Sequence, residues 1–351
     1  MLDGISDAML VAMFGFFGGI ALGLAARIGR FCTLGAIEDF LYQGSSTRLR
    51  MWFLAIGVAG TLSFTLAAFG ALDLSQTIYS TAPWSPLASI TGGLLFGYGM
   101  SLAGNCGFGA LARSGGGDLR SFVIVLVMGI SAYAMLSGPF AAARVMLVAN
   151  TTLPTPHLGY ADLLGSLSGI RAEQIGLIIT GAIALAALGS RSFLNEPKSV
   201  AWACAIGIAI VSGWAGTQWV ATDRFGASPV LSHTFTAPLG ETLIFLMTAS
   251  GGGLSFGVGS VFGVLVGAFS GSLIKGHFRW EACEDPRELK RQFLGAICMG
   301  FGAVLAMGCT IGQGISAFSV LSFSAPLVLA SIFAGAALGL KQLITGFAPP
   351  N

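Results

Sequence analysis

The chain carries very little charge. Asp, Glu, Lys and Arg make up only 9% of its 351 residues, where soluble domains average about 25%. So few charged side chains cannot cover a water-exposed surface, which excludes a soluble globule. The signs nearly balance, with 17 basic against 15 acidic residues and a formal net charge of +2. That leaves no basic field for a nucleic-acid partner. There is no G-x4-G-K-[ST] stretch, so the chain itself is not expected to hydrolyse ATP. The six cysteines include no C-x-x-C pair and no cysteine–histidine spacing that would suggest a metal site; no metal and no cofactor is expected. His157, His233 and His277 fall in predicted loops and read as exposed loop residues.

Apolar residues, by contrast, make up 54% of the chain, and its mean hydropathy is +0.83. Many runs approach the ~20 residues needed to cross a bilayer. The expected class is an all-α polytopic membrane protein with little outside the lipid bilayer. The first apolar run follows Asp3 and Asp7 without a basic leader, so it reads as a membrane helix and not as a cleaved signal peptide.

Glycine is abundant and regularly placed. Gly18, Gly23, Cys32 and Gly35 form the skeleton G-x4-G-x8-C-x2-G. Gly92, Gly97, Cys106 and Gly109 repeat it, as do Gly295, Gly300, Cys309 and Gly312. Glycine is 52 of 351 residues, so three glycines at fixed offsets fall by chance about once in 300 cysteines, even at this twofold excess over average usage. Two further matches among the other five cysteines therefore mark an internal repeat. A degenerate fourth copy is suggested at Gly259, Ala268 and Gly271, with alanine in place of cysteine and Leu254 in place of the first glycine.

Nine spanning helices are predicted, near 8–27, 51–71, 88–104, 121–148, 172–190, 199–219, 242–274, 290–308 and 325–345, the seventh divided at Gly251–Gly253. Together they form one integral membrane domain over 1–351, with repeat-containing halves of roughly 1–190 and 199–351. After each motif cysteine comes a segment too short to span, at 33–43, 107–113 and 310–322. These read as re-entrant half-helices, since non-helical backbone at membrane depth survives only inside protein or along a cavity. Of the 17 basic residues, 14 fall on one side of this arrangement and three (Arg144, Arg171 and Arg224) near the other. The N-terminus is therefore expected outside and the C-terminus in the cytoplasm. The Cys106 and Cys309 helices then run antiparallel, a partly inverted repeat of the kind used by secondary transporters. The loops holding Pro83, Trp84, Pro86, Pro154, Pro156, Trp214, Trp219, Pro229 and Pro238 fall outside and read as connectors with interfacial tryptophans.

A half-helix beginning after each cysteine would aim free N–H groups at the thiol, and such an end favours anions. Cysteine adds a soft, polarisable contact. Serine would suit a plain oxyanion better, so Cys32, Cys106 and Cys309 point to a soft ligand: a sulfur or selenium species, or a soft metal. Apolar burial would keep these thiols neutral. Gly35, Gly109 and Gly312 permit close approach. Asn105, Thr310 and Gln313 are uncharged polar groups beside the breaks; Asn105 and Gln313 suit either lining a path or tying down a loop. Arg30 and Arg113 could draw an anion or anchor the cytoplasmic side. Glu38 and Asp39 are expected to pair with Arg30 or Arg48. Cys204, Cys283 and Cys298, outside the motif, read as small buried hydrophobes or, for Cys283, a loop residue.

The segments RIGRFCTLGAIEDF, GGLLFGYGMSLAGNCGFGALARSGGG and MGFGAVLAMGCTIGQGISAFSVLS resemble the three cysteine motifs of the YeeE/YedE family. The resemblance covers nearly the whole chain, and GCTIGQG is its most specific part. It implies a prokaryotic inner-membrane transporter for thiosulfate or a closely related sulfur anion, and no enzyme. It also implies that Cys32, Cys106 and Cys309 line the central path and pass the anion by S–H contacts. A small cytosolic sulfurtransferase-like protein is implied as partner, and none is fused before Asn351. Asn105 departs from the glycine expected there. Other readings are a transporter of another sulfur or selenium species, a membrane thiol-disulfide oxidoreductase, a Cu(I) transporter and a structural subunit. The oxidoreductase would need thiols paired closely enough to bridge.

Overall fold

The computed structural model describes residues 6–154, 157–223, 229–251, 253–282 and 285–346. Asp3, Pro156, Arg224, Gly252, Cys283 and Asn351 lie outside the described residues. The chain forms α1 (Asp7–Arg27), α2 (Thr33–Glu38), α3 (Thr47–Ala68), α4 (Ile78–Thr81), α5 (Pro86–Ala103), α6 (Gly107–Ser114), α7 (Leu119–Leu136) and α8 (Ala141–Thr151). It continues with α9 (Tyr160–Ser168), α10 (Ala172–Leu188), α11 (Arg191–Leu194), α12 (Pro197–Asp223), α13 (Ala237–Thr248), α14 (Phe256–Ile274), α15 (Pro286–Leu305) and α16 (Ser324–Thr345). The helix starts are written locally. Ser85 caps α5 with Pro86 behind it, Asp118 caps α7, and Asp285 with Pro286 caps α15.

Among the described residues seven helical stretches, α5 and α6 counted as one, are long and apolar enough to cross a membrane, or eight if α9 and α10, bent by 119°, form one broken span. The difference from nine has local causes. The stretch predicted at 172–190 is α10, whose 17 residues fall just short of a span on their own. The stretch at 290–308 is the apolar end of α15, whose first turns carry Arg287, Glu288, Lys290 and Arg291. The predicted break at Gly251–Gly253 does separate α13 from α14. No break accompanies the degenerate fourth copy: Gly259, Ala268 and Gly271 lie within the continuous helix α14.

The leading glycines of the motif are packing sites, and their spacing has a geometric reason. Five residues along a helix turn it by about 140°, so two glycines five apart face different neighbours. A side chain on Gly92 would strike Gly302 and Ala306 of α15, whereas one on Gly97 would strike Ile332 and Ala336 of α16. Likewise Gly295 meets α5 and Gly300 meets α7, while Gly23 meets α14 and Gly18 meets His233. Helices α5 and α15 are thus each wedged between two partners at backbone contact, the close approach that small residues allow in membranes, while α1 meets α14 this way and the His233 ring on its other side.

These contacts also set helix directions. Gly92 meets Gly302 and Gly99 meets Gly295, so α5 and α15 run antiparallel. Gly15 meets Phe256 and Gly23 meets Val264, so α1 and α14 run parallel. The Cys106 and Cys309 copies therefore face each other as the alternating topology requires.

Two sequence readings are corrected by burial. The stretch 229–236 is no surface connector: Val230, Ser232, His233, Phe235 and Thr236 are all buried. Its Ser232 hydroxyl donates to Ile210 O at 2.7 Å, and the His233 carbonyl accepts from Ser316 Oγ at 2.7 Å. His233 is consequently a core residue, its Nδ1 lying 2.6 Å from Ser260 Oγ in the space Gly18 leaves open. Trp214 is likewise no interfacial anchor; it is fully buried and its Nε1 donates to Ser319 Oγ at 3.1 Å. His277 is exposed as expected, and His157 sits 3.1 Å from Asp162 Oδ2.

Candidate functional site at three broken helices

All three breaks share one backbone plan. Two residues before each cysteine the chain turns left-handed, at Arg30 (φ 54°), Gly104 (φ 77°) and Met307 (φ 57°). Side chains other than glycine hold this conformation at a cost of roughly 1–2 kcal/mol, so Arg30 and Met307 store local strain. Each cysteine then opens a new helix by accepting its first hydrogen bond. Cys32 O accepts from Ala36 N at 3.1 Å, Cys106 O from Ala110 N at 2.8 Å and Cys309 O from Gln313 N at 2.8 Å. The half-helices follow as predicted. α2 continues without interruption through a wider turn to Gln43, α6 has eight residues, and the third runs from Thr310 to Ser319.

The trailing C-x2-G spacing places the glycine in the first turn of each half-helix. At Cys106 the Gly109 N–H donates to the thiol sulfur at 3.3 Å, so cysteine acts as the N-cap side chain. At the other two copies the glycine makes room for a neighbour. A side chain on Gly35 would strike the Arg48 guanidinium, and one on Gly312 would lie 2.5 Å from Thr234 Oγ1. Tyr79 OH donates to Gly312 O at 2.8 Å.

Cys106 and Cys309 are wholly buried, and Cys32 is partly open. Thr33 Oγ1 donates towards Cys106 Sγ at 3.9 Å. Both other motif cysteines lie near enough to act on Cys106 electrostatically, and Thr310 stands beside its thiol. Cys309 Sγ accepts from Phe235 N at 3.3 Å, with Thr234 Oγ1 at 3.8 Å. The buried 229–236 stretch thereby meets the third copy of the motif.

Two cavities flank the cysteines at opposite ends of α5. One, of about 330 Å³, includes Ser85 and Ser89 at the start of α5, Arg144, Thr234, Thr236 and Gly308 in its wall. The other, of about 340 Å³, is walled by Cys32, Gly35, Gly109 and Asn105 together with Arg27, Arg30, Arg48, Arg113 and Glu38. From Ser89 in one wall to Gly104 in the other is fifteen residues, about 22 Å of helix at 1.5 Å each.

Most of the expected polar residues meet here, with specific jobs. With its amide oriented to satisfy both ends, Asn105 Oδ1 accepts from Arg113 Nε at 3.2 Å and Nη1 at 3.1 Å, and its nitrogen donates to Gly104 O at 3.1 Å. Asn105 thus fastens Arg113 at the rim of the second cavity. Gln313 fastens the third break: Nε2 donates to Ala306 O at 2.8 Å and Met307 O at 3.2 Å, and Oε1 accepts from Ser324 Oγ at 3.0 Å. Asp39 pairs with Arg48 at 3.2 Å. The Thr310 hydroxyl has no oxygen or nitrogen partner; its polar neighbour is the Cys106 thiol. Cys204 and Cys298 are half-buried outside the site.

Sequence reasoning gave no place in the site to Arg144, Thr33, Thr234, Thr236, Arg27 and Arg48. Arg144 had a readable signal, since it is a lone cation inside the apolar run Ala141–Val148. The threonines had none, because only folding brings residues 234–236 beside Cys309.

Long apolar helices broken at three cysteines, with a cavity near either end of α5, fit an integral membrane protein of the transporter class. The chain matches the sulphur transport family over residues 28–338 and belongs to it. It is 28% identical over 320 residues to the thiosulfate transporter TsuA of Escherichia coli (strain K12), covering 86% of each chain. It is 25% identical over 325 residues to the thiosulfate transporter TsuA of Spirochaeta thermophila, covering 91% of this chain and 94% of that one.

Proposed function

We propose that the protein imports thiosulfate, or a closely related sulfur anion, across a prokaryotic inner membrane and delivers it unchanged to the cytoplasm. The observation that supports this reading is the placement of the motif cysteines between two cavities: Cys309 touches Thr234 in the wall of the Arg144 cavity, Cys32 lines the arginine-rich cavity, and Cys106 lies within electrostatic reach of both. An anion entering near Arg144 loses hydration water and gains the guanidinium, whose Nε has no partner within the protein. Neutral thiols then accept it without the repulsion a thiolate would exert on a dianion. Their S–H groups donate weakly, so no step holds the ligand too tightly to leave. Arg27, Arg30, Arg48 and Arg113 draw it out at the far end.

The N-terminus is placed outside and the C-terminus inside, with the arginine-lined mouth facing the cytoplasm, because 14 of the 17 basic residues fall on that side. A small sulfurtransferase-like protein at that mouth would consume the arriving sulfur and maintain the inward gradient.

The test is uptake of labelled thiosulfate by cells lacking other thiosulfate and sulfate importers. Wild type and Cys204→Ala should import, while Cys32→Ala, Cys106→Ala and Cys309→Ala should fail although they reach the membrane. A wild type that imports no thiosulfate overturns the substrate, and selenium species come next. Import by all three motif variants would overturn the thiol path.

A further inference from the structure

Two threonine hydroxyls on this route are buried without an oxygen or nitrogen partner. Thr310 is 0% exposed with the Cys106 thiol as the only polar neighbour of its hydroxyl, and Thr236 is 2% exposed in the wall of the Arg144 cavity; neither Oγ1 has an oxygen or nitrogen partner. Unsatisfied buried hydroxyls are uncommon and call for a cause. Threonines within helices of this protein satisfy themselves on the preceding turn: Thr180 donates to Gly176 O at 2.7 Å, Thr217 to Gly213 O at 2.8 Å and Thr242 to Pro238 O at 2.7 Å. Thr310 opens its helix and Thr236 precedes α13, so neither has a helical turn behind it to accept its proton. Each also adjoins a thiol contact. Thr310 lies beside Cys106, and Thr236 follows Phe235, whose N–H reaches Cys309 Sγ.

A soft sulfur and a hydroxyl that lacks an oxygen or nitrogen partner are thus placed together twice along the path. We propose that Thr236 and then Thr310 recognise the oxygen end of the transported anion while Cys309 and Cys106 contact its sulfur end. The path then selects anions that carry both a terminal sulfur and acceptor oxygens. The assignment rests on the sulfur-anion reading above and adds the residues that discriminate within that class. Valine keeps the shape of threonine and removes the donor, and serine keeps the donor, so the pair separates hydrogen bonding from packing.

The experiment measures KM for labelled thiosulfate in cells expressing wild type, Thr310→Val and Thr310→Ser, normalised to protein in the membrane. Hydrosulfide, a sulfur ligand without oxygen, is the competing probe. Thr310→Val should raise KM about tenfold or more, the loss expected for one hydrogen bond to a charged partner. Thr310→Ser should stay within about threefold of wild type, and the hydrosulfide inhibition constant should be the same in all three. A wild-type KM in Thr310→Val overturns the assignment. A parallel loss of thiosulfate and hydrosulfide affinity overturns it too, because that marks a packing defect, as does hydrosulfide that fails to inhibit the wild type. Should Thr310→Val not reach the membrane, Thr236→Val gives the same split at the cavity wall. A wild type that imports no thiosulfate removes the functional reading and this assignment together. An importing wild type matched by both valine variants removes only the assignment.

Discussion

Adding one methyl group at Gly302 tests whether backbone contact between α5 and α15 holds the site together. A Cβ on Gly302 would lie 2.5 Å from Phe96 N, 2.6 Å from Gly92 O and 3.0 Å from Phe96 Cα. All three are backbone atoms of α5 and cannot swing aside. Ordinary carbon contact needs about 3.5 Å, so the helices must separate by close to 1 Å. Overpacking of this kind costs about 1–3 kcal/mol. Because α5 leads into Cys106 and α15 into Cys309, the same displacement shifts the two thiols relative to each other. Gly302→Ala should therefore lower the thermal unfolding midpoint of detergent-solubilised protein and reduce thiosulfate uptake. The matched control is Gly181→Ala on α10, where a Cβ would meet nothing within 4 Å. There alanine gains its helix propensity over glycine, about 1 kcal/mol, so the midpoint should rise and uptake stay unchanged. Unfolding midpoints that move in the same direction in both variants would refute the packing argument, as would a wild-type midpoint in Gly302→Ala.

Other substitutions probe the breaks and their supports. Gly104→Ala places a side chain at φ 77° and should destabilise by roughly 1–2 kcal/mol, measurable as a lower unfolding midpoint. Ser260→Ala removes the partner 2.6 Å from His233 Nδ1. It should cost about 1–3 kcal/mol and slow uptake, because His233 adjoins the Thr234–Phe235 contacts to Cys309. Arg113→Lys keeps the charge but loses the paired contacts at 3.2 and 3.1 Å to Asn105. If Asn105 serves chiefly to aim Arg113, Asn105→Ala and the double variant should each reduce uptake no further than Arg113→Lys does.

Composition alone decided the class of this protein. A chain with 9% charged residues and 54% apolar ones has a surface that only lipid can cover. The triplicated G-x4-G-x8-C-x2-G skeleton likewise located Cys32, Cys106 and Cys309 and the half-helices after them, because helix interruption is a local backbone event. The role of each glycine was not legible. Whether Gly18 faces a helix or a histidine ring depends on what folding brings opposite it, and that partner is His233, 215 positions away. For the same reason the stretch 229–236, marked by Pro229 and Pro238, read as a surface loop. Its hydrogen bonds form only once Ile78, Ile210, Thr217, Ser260, Cys309 and Ser316 are assembled around it. Sequence-local chemistry therefore set where the chain breaks. Tertiary structure decided which polar groups face each break, because burial and partner are properties of the packed helices and not of any one of them.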